Sequence, residues 1–259
     1  MIAIKRSTQF YNFVSIVGVL LLWQLVVSAG LFGKLVPSPV AVFKEFIDML
    51  QNPIGGRSLF MHLWFSIKRV LTAFITAVVI GVPLGLFMGW NKKVDAIVKP
   101  VFELLKPIPP IAWIPLAILW FGIGETPKVF ICFVGSFVPC VVNSYTGMRY
   151  VDPLLIDMTK TFGATRRQQF IDVGLPASLT AVFAGLQNAL SLGWMCVLAA
   201  ELVGAREGVG YIITLGMDTA NPAMIIVGML IIGAVGAAIA VIVRRIERIV
   251  CPWKRGITS

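Results

Sequence analysis

Charge is scarce in this sequence. Asp, Glu, Lys and Arg together make up 13% of its 259 residues, against roughly 25% in a soluble globular domain. Acidic side chains are the scarcest, 12 against 22 basic ones. Histidine occurs once, as His62, which argues against a metal or nucleophile site built on imidazole. The four cysteines, Cys132, Cys140, Cys196 and Cys251, are scattered, and the first three lie inside apolar runs. Their spacing fits no metal site and no disulfide framework, so they read as small buried side chains. No polar segment is long enough for a soluble catalytic domain. No internal repeat argues for an inverted-repeat secondary transporter.

What remains is apolar. Hydrophobic residues reach 58%, and the mean hydropathy is +0.90. A soluble enzyme and a disordered or nucleic-acid-binding chain are both excluded, because this much apolar surface needs lipid as its solvent. The fold class expected is therefore all-α, a polytopic membrane protein.

Six spans are expected. The first covers residues 13–29; it could be read as a signal peptide, but its apolar run exceeds a usual h-region and it is taken as retained. The others are expected at about 70–90, 101–122, 129–148, 179–203 and 223–243. Between the first two, Ser38 and Pro39 form an N-cap and first turn. They open a short amphipathic helix with Phe43, Phe46, Ile47 and Leu50 on one face. Pro107, Pro109, Pro110 and Pro115 are expected to break the third span, and Gly81 and Gly85 to form a small packing face.

The basic residues orient this scheme. Lys5, Arg6, Lys92, Lys93, Lys99, Lys106, Arg149, Lys160, Arg166, Arg167, Arg244, Arg245, Arg248, Lys254 and Arg255 all fall on one side if both termini are cytoplasmic. The first outer loop, with Lys34, Lys44, Arg57, Lys68 and Arg69, is the exception.

Residues 149–178 form the longest interruption. Asp157, Lys160, Arg166, Arg167, Gln168, Gln169 and Asp172 alternate with Leu154, Leu155, Ile156, Phe162, Phe170 and Ile171, which suits short helices with one apolar face. Gly163 lets the backbone turn, and Pro176 ends the run. Such a helix either docks in a partner's groove or lies on the bilayer. Within the spans, Gln187, Asn188, Ser191 and Trp194 on the fifth, and Asn143 near the end of the fourth, either line a substrate path or bond between helices. Glu201, a carboxylate near the end of a span, is a candidate gate or pathway residue.

The interruption resembles the cytoplasmic loop of ABC importer permeases, whose signature is Glu-Ala-Ala, three residues, Gly, nine residues, Ile-x-Leu-Pro. Asp157-Met158-Thr159, Gly163 and Val173-Gly174-Leu175-Pro176 keep that spacing, with Asp for Glu, Met-Thr for Ala-Ala and Val for Ile. The run from Lys106 to Glu125, and Ala199 to Gly204 followed by Gly208 to Tyr211, are similar to permeases of the nitrate/sulfonate/taurine type. The resemblance covers residues 10 to 250. It implies a type I ABC importer permease, one transmembrane domain over residues 1–259 in a bacterial inner membrane.

The implied partners are a second copy of the chain, two ATPase subunits and an extracytoplasmic binding protein. ATP and Mg would be bound by the ATPases and no cofactor by this chain, which has no Gly-x-x-x-x-Gly-Lys-Ser/Thr loop. The helix around Gly163 to Val173 would sit in an ATPase cleft. Asp157, Gly163, Ala164, Arg166, Arg167, Phe170, Val173, Leu175 and Pro176 would make the coupling contacts. The cargo implied is a small anion or organic solute. The alternatives, a stand-alone channel or secondary transporter and a membrane-embedded enzyme, would need flux without ATP or a paired nucleophile and base within the spans.

Overall fold

The computed structural model describes residues 2–30 and 36–251, with the side chains of residues 2–10, 12, 13 and 16 left aside. Lys5, Arg6, Phe13, Lys34, Lys254 and Arg255, used in the sequence reading, therefore lie outside the described residues or have side chains that do. Among the described residues the regular elements are helical, and the one β-bridge joins Ile54 to Arg57.

Eleven α-helices follow in order: α1 Ile2–Ser28, α2 Pro39–Gln51, α3 Leu59–Trp90, α4 Lys92–Leu105, α5 Ile114–Phe121, α6 Glu125–Arg149, α7 Pro153–Thr161, α8 Arg166–Gln168, α9 Leu175–Leu202, α10 Val209–Asp218 and α11 Pro222–Val250. Among the described residues, four helical stretches are long and apolar enough to cross a membrane: α3, α6, Arg166–Leu202 (α8 through α9) and α11. α4 and the segment Pro110–Phe121 meet at 83° and are together apolar enough for a broken span or a re-entrant loop. The break lies where prolines were expected to make one, since Pro107, Pro109 and Pro110 cannot donate to a helical ladder. The count of six is not reproduced. α1 covers the first expected span, but its described apolar part, Val17–Ser28, is shorter than a crossing.

Boundaries also move. The second span starts at Leu59 instead of Val70, because Arg69 lies inside the helix at 2% exposure. After Glu201 the chain forms α10, a ten-residue helix that the sequence reading did not separate from the loop before the last span.

The core is a slab of α3, α6 and α9. Gly81, Gly85 and Gly89 recur every fourth residue on α3 and bring it against α6. A Cβ on Gly81 would meet Cys140 at 3.0 Å, and one on Gly85 would run into the Val141 carbonyl and the Ser144 side chain. Gly85→Leu is expected to destabilise the protein by about 1–3 kcal/mol through overpacking, read as a fall in the thermal midpoint of the purified protein.

α2 forms as its sequence dictates, with the Ser38 hydroxyl accepting from Ala41 N at 3.2 Å and Pro39 in the first turn. It buries Val42 and Met49 and packs on α11. The Asn221 side chain of α11 donates to Glu45 at 2.9 Å. The four cysteines are all buried thiols.

Candidate functional site

The candidate residues gather in three places among the described residues, one at each end of the slab and one midway along α9.

At the end where α3 and α6 finish and α9 begins, the helix that stands apart is α7, ahead of Gly163. The segment Gly163 to Val173 is a turn, then α8, then a π-helix over Gln169–Gly174 that runs straight into α9. Asp152 caps α7 by accepting from Leu154 N at 2.9 Å. At its other end Gly163 N donates to Lys160 O and Ala164 N to Thr159 O, each at 3.0 Å. That pair of bonds is a Schellman cap, which needs left-handed backbone, and Gly163 has φ +74°. Thr165 and Gln168 then bond reciprocally in a capping box that restarts the helix.

The surface of this end is apolar where it is most exposed. Leu154, Leu155 and Met158 of α7 are exposed, and Phe162 is 86% exposed. Asp157 pairs with Lys160 at 2.7 Å, and Arg166 and Arg167 are exposed. Behind this surface the chain is clamped. Phe170 stacks on Phe87 at 5.7 Å and meets Trp90 edge-on at 5.4 Å. Gly174 lies against Met148 and Trp90, and Gln169 is buried with its amide donating to Ala164 O at 3.1 Å. Val173, Leu175 and Pro176 are half-buried at the start of α9. The expected coupling residues thus divide into an exposed set around α7 and α8 and an inner set that fixes the loop to the slab.

At the opposite end a buried ionic network ties α3, α6, α9 and α10 together. Arg69 is its hub. Its Nε and Nη2 donate to the two Glu125 oxygens at 2.5 and 2.7 Å, and its Nη1 to Glu201 Oε1 at 2.6 Å and to Glu207 O at 2.9 Å. Glu201, fully buried, also accepts from Ser66 Oγ at 2.7 Å and from Gly210 N at 2.9 Å. Ser66 Oγ accepts from Val209 N at 2.9 Å, and His62 Nδ1 from Gly208 N at 3.1 Å. The first amides of α10 are therefore capped by side chains of two other helices, and a carboxylate sits at the positive end of its dipole. Lys128 donates to Glu125 at 3.1 Å, and Arg57 pairs with Glu207.

Glu201 is thus held within a closed network. The sequence reading missed its partners, although His62, Ser66 and Arg69 form an i, i+4, i+7 polar stripe on a largely apolar helix. The network also accounts for much of the basic first loop: Arg57 and Arg69 are neutralised by acids from other segments.

Midway along α9 the candidate path residues separate. Trp194 Nε1 donates to Ile232 O of α11 at 3.1 Å and is buried. The Asn143 amide donates to Pro139 O in its own helix at 2.9 Å. Gln187 donates to Glu247 of α11 at 2.6 Å. Gln187, Asn188 and Ser191 do come together, lining one cavity of about 130 Å³ between α9 and α11 with Arg244.

Residues 81–256 match the family described as the inner membrane component of binding-protein-dependent transport systems. The chain belongs to this family. Relatives extend the match along nearly the whole length of this inner membrane component. A putative ABC transporter permease of Methanocaldococcus jannaschii is 35% identical over 90% of this chain and 88% of its own. The taurine transport system permease of Escherichia coli is 31% identical, over 90% of this chain and 86% of its own. The nitrate import permease of a Synechocystis strain is 28% identical, over 92% and 88%. The inward-facing MetNI methionine ABC transporter has a chain of the same fold, with a TM-score of 0.65 over 74% of this chain and 95% of that one at 21% identity. This chain is accordingly a membrane component of a transport system.

Proposed function

We propose that the chain is the permease subunit of an ATP-driven importer, working as two identical copies with two ATPase subunits that bind ATP and Mg. An external binding protein delivers a small anion or organic solute of the nitrate, taurine or sulfonate kind. The whole chain acts as one permease unit in a bacterial inner membrane. Both termini and α7 face the cytoplasm, and the Arg69–Glu201 network faces outward.

The observation that carries this reading is the exposed apolar end of α7, with Phe162 at 86% exposure, mounted on a loop fixed to the slab through Phe170. An apolar helix end projecting from a cationic loop fits a groove in a partner. Closure of the ATPase pair draws the two α7 helices together, and the slabs turn as rigid bodies between inward- and outward-facing states.

The test is Phe162→Asp in the assembled transporter. Placing a charge in the centre of the docking contact is expected to lower recovery of the ATPase with the permease, and ATP-dependent uptake, by about tenfold or more. Normal recovery and uptake would refute the docking role.

A further inference from the structure

Asn188 and Ser191 lie at the midpoint of α9, a helix long and apolar enough to span the membrane, and both are exposed. Neither side chain has a hydrogen-bond partner among the described residues. An amide and a hydroxyl at that depth are costly against lipid, so this face meets water, solute or another polar surface. Arg244 of α11 reaches the same cavity. Among the described residues its one hydrogen bond runs from Nε to Ala240 O at 3.2 Å, and its Nη groups meet no carboxylate there. Gln187 completes the lining; one of its amide hydrogens is committed to Glu247 at 2.6 Å, which anchors the side chain and leaves the other. Ile239 and Val243 form the apolar wall.

We propose that Gln187, Asn188, Ser191 and Arg244 form a binding site for an oxyanion on the transport path. The lining offers one permanent positive charge, a planar fork of N–H donors, two amides and a hydroxyl in a space of about 130 Å³. That donor set matches the paired acceptor oxygens of a planar nitrate or bicarbonate or of a tetrahedral sulfonate, and a guanidinium binds such a group through two parallel hydrogen bonds. The proposal rests on the importer reading. It adds to it where on this chain the solute is held and by what chemistry. A lipid headgroup phosphate offers the same chemistry, and the test separates the two.

The experiment uses the complete transporter reconstituted in vesicles of pure phosphatidylcholine and, separately, with added phosphatidylglycerol, with nitrate and ethanesulfonate as probes. Arg244→Gln is expected to raise the concentration for half-maximal uptake of the transported probe by about 10- to 100-fold in both vesicle types, the effect of removing a charged hydrogen bond. Arg244→Lys restores part of the loss, and Asn188→Leu reproduces it with the protein present at wild-type amounts. Unchanged half-saturation in all three variants overturns the site, as does a defect confined to vesicles containing phosphatidylglycerol, which would assign the cavity to lipid. Dissociation of the paired permease in Arg244→Gln would place these groups in a subunit contact and also overturn it. Flux without ATP in the unaltered transporter defeats the importer reading itself, a result distinct from each of these.

Discussion

Replacing Arg69 by leucine should destabilise the protein by about 3–5 kcal/mol, the cost of stranding a buried charge. The Arg69 and Glu201 side chains are 2% and 0% exposed. Without the guanidinium, Glu201 keeps only Ser66 and Gly210 N as partners, and α10 loses the neutral setting in which its first turn is capped. Thermal unfolding of the purified permease and its abundance in membranes both report the loss. The double variant Arg69→Met with Glu201→Gln should recover most of it, because no unpaired charge is then left inside. Glu125→Gln provides the contrast. The Glu125 side chain is 58% exposed, so its removal should cost about 0–1 kcal/mol, as for surface pairs. A loss below about 1 kcal/mol in Arg69→Leu would mean that water reaches the network.

Gly163→Glu is expected to lower ATP-dependent uptake on the order of 100-fold, the consequence of losing about 3 kcal/mol of docking energy at α7. Membrane abundance should stay near normal, and the thermal midpoint should fall by only a few degrees. The reason is backbone geometry. Nothing lies within 4 Å of where a Cβ would be, so crowding plays no part, but φ is +74°. A side chain there costs about 1–2 kcal/mol in the left-handed region, opens the cap on α7 and turns Phe162 away from the proposed ATPase contact. Gly163→Asn should retain much of the activity, since asparagine tolerates this conformation. Equal damage from Asn and Glu would show that the turn is not what matters.

Local rules carried the sequence reading a long way. The Ser38 cap, the proline break before α5 and the glycine face of α3 each depend on neighbours within a few residues, and each forms as expected. What escaped the sequence depends on distance. Lys68 and Arg69 looked like a boundary, because cations are expensive in lipid. Arg69 nevertheless lies inside α3, since Glu125 and Glu201 neutralise it from 56 and 132 positions away. α10 is too short to cross a membrane, and its start is stabilised by caps from α3 and α9 that no local pattern reveals. The same holds for Arg244. On a line of sequence it belongs to a terminal basic cluster, and only the packing of α11 against α9 puts it beside Asn188.

α3 links the two ends of the molecule in a single piece. Its 32 residues span roughly 50 Å at 1.5 Å per residue. One tip is wedged by Phe170 against Phe87 and Trp90, and the other carries His62, Ser66 and Arg69, which hold α10. The glycine ladder leaves no slack between this rod and α6. The aromatic wedge and the cap on α10 are therefore joined through one helix, interrupted in its interior only by Pro83.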